Sequence, residues 1–124
     1  MFFGDLKAWN PTNLPGDKNS AFTKRLISVD KPPFRRGTWT QIVITHTGLG
    51  TGKGVAKLYL DAQLQGTTET IGEPFRWDRS RAAIRLGVNY VGLWDELAIF
   101  NRALSDREVA ELHRLKGGLA TIRR

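Results

Sequence analysis

The residues best suited to ligand chemistry are aromatic and polar side chains in the second half of the chain. The main set is Arg76, Trp77, Asp78, Asn89 and Tyr90. Aromatic rings stack on sugar rings while neighbouring polar groups hydrogen-bond the hydroxyls, so this composition predicts a carbohydrate-binding site. Trp94 follows closely and could join the cluster. The alternative is that Trp39 and Trp94 belong to the core and that Trp77 alone is exposed.

Asp95 is the carboxylate with the strongest case for a metal or ion-pair role. It lies in the segment 93–100, where apolar residues occupy both alternating faces, which predicts a strand covered on both sides. Asp95 would share a face with Leu97 and Ile99, so we expect it to be buried. A buried carboxylate requires a cation, an arginine or several backbone N–H groups as its partner.

Patterns that would indicate catalysis are absent from the sequence. Neither His46 nor His113 has an acid or serine at a spacing that suggests a triad. The chain has no cysteine, no H-E-x-x-H motif and no EF-hand spacing. Asp95 and Glu96 are adjacent and would point to opposite faces of a strand, so they cannot form the close pair of a retaining glycosidase. We therefore expect a protein that is not an enzyme.

Short β-rich segments separated by turn residues are expected to position these side chains. The strand candidates are residues 25–30, 38–46, 55–61, 64–70, 83–88 and 93–100. A turn at Asp61, Ala62 and Gln63 joins two of them, which favours an antiparallel hairpin. Because helices and strands do not alternate along the chain, the pattern predicts an all-β antiparallel sandwich.

One helix is predicted near the C-terminal end, over residues of about 105–116. Ser105 and Glu108 stand at the S-x-x-E distance of a capping box. The apolar residues that follow have helical spacing and form a stripe, namely Val109, Leu112 and Leu115. Gly117 and Gly118 then favour a left-handed end to the helix.

Composition limits the kinds of partner that the protein could have. The chain has 124 residues, a length that suits one domain, and no apolar run long enough to cross a membrane. Its start shows no signal-peptide pattern. The net charge of +7 arises from 19 basic and 12 acidic residues that are scattered along the chain, as on a solvated surface. Nucleic acid is therefore not the expected partner, although a polyanion-binding basic domain stays open as an alternative.

Three sequence blocks carry a resemblance to a known family. They are GTWTQIVITH at 37–46, KLYLDAQLQG at 57–66, and the run from Asp95 to Val109 that contains N-R-A-L-S-x-x-E-V. Their order and spacing resemble the C-terminal part of laminin-G-like domains in the concanavalin A-like jelly-roll superfamily. The resemblance implies an irregular segment at 1–24, a laminin-G-like portion at 25–119 and a basic tail at 120–124. The jelly roll would then be incomplete, as part of a larger protein.

The resemblance also carries expectations about function. It implies a recognition or adhesion module that binds carbohydrate or protein, in an extracellular or cell-envelope setting, and a structural calcium ion at Asp95. Where the family usually has Asp-Gly in its hairpin, this chain has Ala62, which suggests a different turn or a small strain. The alternative is a structural fragment or spacer without a ligand. Exposed sheet edges in such a fragment would favour a homodimer.

Overall fold

A computed structural model gives the fold and describes residues 1, 22–48, 51–68, 72, 78, 80, 86 and 90–122. This part of the chain is mostly β with one helix, as the sequence predicts. The strands are β1 (Ile42–Thr47), β2 (Val55–Leu60) and β3 (Gln63–Thr67), and the helix is α1 (Asp106–His113). Two short 3₁₀ helices cover Thr23–Arg25 and Leu119–Thr121. No helix in the described ranges is long and apolar enough to span a membrane.

The three strands form one antiparallel sheet in the order β1-β2-β3. In the first pair, Ile42 lies opposite Leu60 and Thr47 lies opposite Val55. β2 is therefore central, and its antiparallel pairing with β3 confirms the expected hairpin. A bulge at the β2–β3 pairing leaves Gln65 without an opposite residue.

Two predicted strands in the first half of the chain differ from the structure. The strand expected at 38–46 begins only at Ile42. The strand expected at 25–30 is reduced to a single bridge residue, Leu26, after a 3₁₀ turn. Ile27 next to it exchanges backbone hydrogen bonds with Met1, at 2.7 Å from its N–H and 2.5 Å to its carbonyl. Of the strand expected at 83–88, only Leu86 lies within the described residues, and the segment 1–24 lies largely outside them.

β2 links the two sides of the sheet because its side chains alternate. Leu58 and Leu60 point to one side and form the apolar core with Ile27. Tyr59 points to the other side, where its hydroxyl donates a 2.6 Å hydrogen bond to Asp106 at the start of α1. This alternation places the apolar core on one side of β2 and the contact with α1 on the other.

The helix begins where the sequence predicts and ends slightly early. Ser105 is the N-cap, and both halves of its capping box with Glu108 are formed. Val109 is completely buried. The helix ends at His113, ahead of Gly117 and Gly118, which do take positive φ values of 93° and 68°.

The segment 93–100 is the main correction to the predicted fold, because it is exposed and has no strand structure. Glu96 has φ of 51°, in the left-handed region, so the chain turns where an extended strand was expected. Its carboxylate accepts a 3.2 Å hydrogen bond from the Leu119 N–H, which connects this segment to the C-terminal 3₁₀ helix. Apolar residues on both alternating faces led to the prediction of a covered strand. Such a pattern does not by itself show that other parts of the chain pack against those faces.

Candidate aromatic binding site

Three aromatic side chains lie side by side on the surface and form what we call the aromatic row: Phe34, Tyr90 and Trp94. The ring centroids of Phe34 and Tyr90 are 6.0 Å apart, and those of Tyr90 and Trp94 are 5.5 Å apart in an edge-to-face arrangement. Such distances are typical of interacting rings. The three side chains are 42%, 44% and 52% exposed, so the row presents ring surface to solvent while its members support one another.

Phe34 places one end of the aromatic row beside an apolar groove of the sheet. It follows Pro32 and Pro33, whose fixed φ angles restrict the approach of the chain. Its side chain also lines a groove of about 300 Å³ together with Leu58 and Leu60. One end of the row therefore stands on the apolar side of β2.

Tyr90 and Trp94 are brought together by a bend at Gly92. A Cβ atom at this position would lie 2.5 Å from the Cε1 and Cζ atoms of the Tyr90 ring. An alanine would therefore push the ring away, so the close approach of Tyr90 depends on glycine. The other end of the row is thus held by local backbone geometry.

The aromatic row offers apolar ring surface to solvent, with successive rings inclined to one another by 59° and 66°. The C–H faces of a sugar ring pack on such surface, and the Tyr90 hydroxyl adds a hydrogen-bonding group at the centre of the row. Protein interaction sites also use exposed aromatic residues of this kind. The arrangement is therefore suited to binding a ligand that has apolar faces.

The residues predicted from sequence are only partly represented in this row. Tyr90 lies at its centre, whereas Arg76, Trp77 and Asn89 lie outside the described residues. Asp78 is exposed and accepts hydrogen bonds from the side chain and backbone of Ser80, at 2.6 and 3.0 Å. These bonds lower the pKa of Asp78, with the side-chain hydroxyl as the larger cause. The carboxylate of Asp78 thus stabilises a local turn that contains Ser80.

The aromatic row includes one residue that the sequence did not predict, and the exposure of two tryptophans excludes one alternative. Phe34 was not predicted, although its place after two prolines and outside a strand was the signal that it need not be a core residue. Trp39 is 65% exposed and Trp94 is half exposed, so the alternative that both belong to the core is wrong.

Asp95 differs from its predicted environment. Its side chain is exposed, and one carboxylate oxygen accepts a 2.9 Å hydrogen bond from the N–H of Glu96. The prediction of a buried carboxylate is therefore wrong, because the strand that would have buried it is not formed. The described residues do not group three acidic or histidine side chains in a way that could hold a metal ion, so the surroundings of Asp95 given by the structure do not fit a calcium cage. Calcium binding at Asp95 stays a prediction.

A second groove, of about 580 Å³, lies between the sheet and the start of α1. Lys57 and Asp106 form an ion pair of 2.9 Å across it, and Arg102 contacts Glu108 through two bonds of 2.9 and 2.5 Å. Bonds from Tyr59 and then Lys57 lower the pKa of Asp106. The positive and negative side chains in this groove neutralise one another. The groove therefore serves as a structural contact between the sheet and α1.

The two histidines have different surroundings. His46 is half-buried in β1, and desolvation by burial lowers its pKa, whereas His113 is exposed at the end of α1. Neither residue lines the grooves described above.

Comparison with known proteins gives two matches in support of the fold. The family model of the concanavalin A-like lectin/glucanases superfamily matches residues 11–110. Among solved structures, the chain is similar to an S-layer domain-containing protein from Clostridium thermocellum, with 22% sequence identity and a TM-score of 0.52. The similarity covers 67% of this chain and 42% of that one, so the chain spans less than half of that structure. No curated protein matches the chain.

Proposed function

Since the chain belongs to the concanavalin A-like lectin/glucanase superfamily, we propose that it is a non-catalytic recognition module that binds carbohydrate through the aromatic row. The observation that carries this proposal is the contact of three half-exposed rings, Phe34, Tyr90 and Trp94, on one surface. We further propose a cell-envelope setting, which the similarity to an S-layer domain-containing protein supports.

Energetics favours a ligand with apolar faces and polar edges. Exposed rings lose unfavourable contact with water when a sugar packs on them, at roughly 25 cal/mol per Å² of apolar surface covered. Because the rings already contact one another, little side-chain entropy is lost on binding. The aromatic row is therefore organised for a ligand before the ligand arrives.

Removal of the Trp94 ring tests the proposal directly. We expect Trp94→Ala to lose at least about tenfold in affinity for glycans that bind the unchanged protein, the size of effect seen when an aromatic anchor is truncated. Binding would be screened on a glycan array and then measured by calorimetry with the glycans that bind.

Trp39→Ala is the matched control, because Trp39 is more exposed than Trp94 and makes no ring contact with the aromatic row. Its affinity should stay within about twofold of the unchanged protein, as for a surface residue outside the contact. Failure to bind any glycan, or equal losses in the two variants, would contradict the proposal.

A second candidate function is a structural module that packs against another protein surface. The exposed apolar side chains of 91–100 favour it, with Leu97 73% and Ile99 74% exposed. Exposed apolar residues in a continuous segment are typical of interaction surfaces. This candidate predicts that the protein can also self-associate through the exposed segment 91–100.

A further inference from the structure

The segment 93–100 has the residues of a β-strand but no strand beside it. No backbone–backbone hydrogen bond joins it to any residue that the structure describes. At its middle, Glu96 has φ of 51°, a left-handed conformation that is unfavourable for a residue with a Cβ atom. An extended conformation removes this strain, so a neighbouring strand edge would favour the strand over the bend.

β1 offers an edge of the required kind. It is an outer strand of the described sheet. The N–H of Asp61 donates a 2.9 Å hydrogen bond to the carbonyl of Gln41, just before β1. Because bonded and non-bonded pairs alternate along an antiparallel ladder, Ile42 and Ile44 direct their backbone groups away from β2. Their side chains are 37% and 47% exposed, so this edge offers backbone groups and apolar surface to a further strand.

The charges of the two elements are complementary. The hairpin of β1 and β2 contains Lys53 and Lys57 and no acidic residue, whereas the segment 93–100 contains Asp95 and Glu96 and no basic residue. Opposite charges favour contact between the segment and the hairpin, and like charges oppose contact between two segments. Every copy of the chain carries both elements, so two copies can satisfy each other in a closed, two-fold dimer.

We propose that two copies of this chain associate by strand addition, with residues 96–99 of each copy pairing with β1 of the other. The inference goes beyond the carbohydrate function and does not depend on it. Within one chain, the Glu96 carboxylate instead accepts the 3.2 Å hydrogen bond from Leu119, which holds the segment in its bend. The backbone hydrogen bonds of the new pairing offset the loss of this exposed bond.

One antiparallel register matches the side chains of the two elements. It places Leu97 opposite Ile44 and Ile99 opposite Ile42, so that the apolar residues share one face. A shift by one residue would put them on opposite faces of the sheet. The antiparallel direction also brings the acidic residues toward the end of β1 that lies beside Lys57, whereas a parallel strand would carry them away from it.

Cysteine cross-linking tests this register, because the chain has no cysteine of its own. The register makes Val43 and Ala98 a non-hydrogen-bonded pair, whose Cα atoms lie about 4.5 Å apart and within reach of a disulfide. Val43→Cys would be mixed with an affinity-tagged Ala98→Cys and oxidised mildly. We expect a disulfide-linked dimer that contains one copy of each variant to be the main covalent product on a non-reducing gel.

Two controls distinguish this pairing from other contacts. Ile44→Cys mixed with Ala98→Cys is displaced by one residue, so its side chains lie on opposite faces and should give little covalent dimer. Equal cross-linking in this control, or none between Val43→Cys and Ala98→Cys, would overturn the inference. The double variant should form covalent dimers. A disulfide that instead closes within a single chain would assign the pairing to the segment's own β1 and would also overturn it.

Light scattering provides a second measurement that needs no cysteine. Ile44→Lys should raise the concentration at which dimers form by about tenfold or more, because it places a charge on the edge that receives the strand. Leu64→Lys is the matched control, since Leu64 is 49% exposed on β3, the other outer strand, and its effect should stay within about twofold. Equal effects of the two substitutions, or no effect of Ile44→Lys, would overturn the inference and leave the carbohydrate function standing.

Discussion

Ala62 has a backbone conformation that alanine seldom adopts. It follows Asp61 in the two-residue turn between β2 and β3, and their φ angles are 61° and 47°. Positive φ at both central positions is the mark of a type I′ hairpin turn. Asp61 also secures the turn, because its carboxylate accepts a 2.8 Å hydrogen bond from the N–H of Gln41, just before β1. The small strain suggested by the sequence therefore falls on Ala62.

Ala62→Gly should stabilise the protein. The left-handed conformation costs an L-residue about 1–2 kcal/mol, whereas glycine adopts it readily but loses more entropy on folding. We expect a net gain of about 0.5–1 kcal/mol, seen as a rise in Tm by thermal circular dichroism. Ala110→Gly in α1 is the control and should lower Tm, since glycine costs about 1 kcal/mol in a helix interior. A fall in Tm for Ala62→Gly would contradict the strain assigned to this turn.

For single residues, the sequence was better at predicting which side chains belong to the site than at predicting which side chains they contact. Tyr90 could be selected as a ligand-binding aromatic residue from its neighbours in the sequence, whereas Trp94 lies in a segment that was predicted to be a covered strand. Phe34 could not be paired with Tyr90, because this contact joins parts of the chain that are distant in sequence. Asp95 was misplaced for the same reason, since its burial depended on a covering layer that local sequence does not specify.

Among the elements, α1 is short and depends on its capping residues. It has eight residues, fewer than an isolated helix needs to be stable in water. Arg102, followed by the backbone N–H and hydroxyl of Ser105, lowers the pKa of Glu108 from 4.5 to about 2. The folded protein therefore holds Glu108 in its ionised form more firmly than the unfolded chain does.

This shift gives α1 a defined pH dependence. A carboxyl group with a lowered pKa contributes stability above pH 4.5, and the contribution is lost as the pH falls toward about 2. We expect Glu108→Gln to lower Tm at pH 7, and the difference from the unchanged protein to disappear near pH 2. Thermal melts followed at the helix signal would measure it.

Arg102→Gln provides the matched comparison, because it removes the largest cause of the shift. Its Tm difference should also narrow as the pH falls, and the effects of the two substitutions should not add when they are combined. A Tm difference for Glu108→Gln that stays constant from pH 7 to pH 2 would contradict the role assigned to this carboxylate.

The elements that sequence predicted well are those with local causes. The hairpin of β2 and β3 and the capping box of Ser105 and Glu108 are each determined within a few residues. The segment 93–100 also has a clear strand-like pattern of apolar residues, but it forms no strand. A strand exists only when a neighbouring strand pairs with its backbone, and alternation alone does not provide that neighbour.

At the scale of the whole molecule, the exposed apolar segment 91–100 gives an expectation about association. We expect the protein to self-associate at micromolar concentration, and Leu97→Lys with Ile99→Lys to reduce this by placing charges on the exposed surface. Multi-angle light scattering would measure the molar mass. Leu64→Lys on β3 is the control, since it charges an edge strand of the described sheet and tests the predicted pairing through sheet edges.

The results distinguish the two surfaces. Dimers that persist in the Leu64 variant and disappear in the Leu97 and Ile99 variant would assign association to the apolar segment. The reverse result would assign it to the sheet edge. A monomer for the unchanged protein over the whole concentration range would contradict self-association through either surface.

The predicted resemblance to the concanavalin A-like superfamily is confirmed, because the model of that superfamily matches residues 11–110. The antiparallel sheet with one helix near the C-terminal end agrees with it. Family membership does not determine the ligand, since one fold carries many functions. The aromatic row, by contrast, is a feature of this chain's own residues.

The most direct test of the aromatic row is the indole N–H signal of Trp94 in NMR spectra during titration with a glycan that the protein binds. Trp→Phe variants would assign the four tryptophan signals. We expect the Trp94 signal to shift progressively and to saturate with the ligand, while the Trp39 signal stays in place. A titration in which the protein binds the glycan without moving the Trp94 signal would contradict the proposed site.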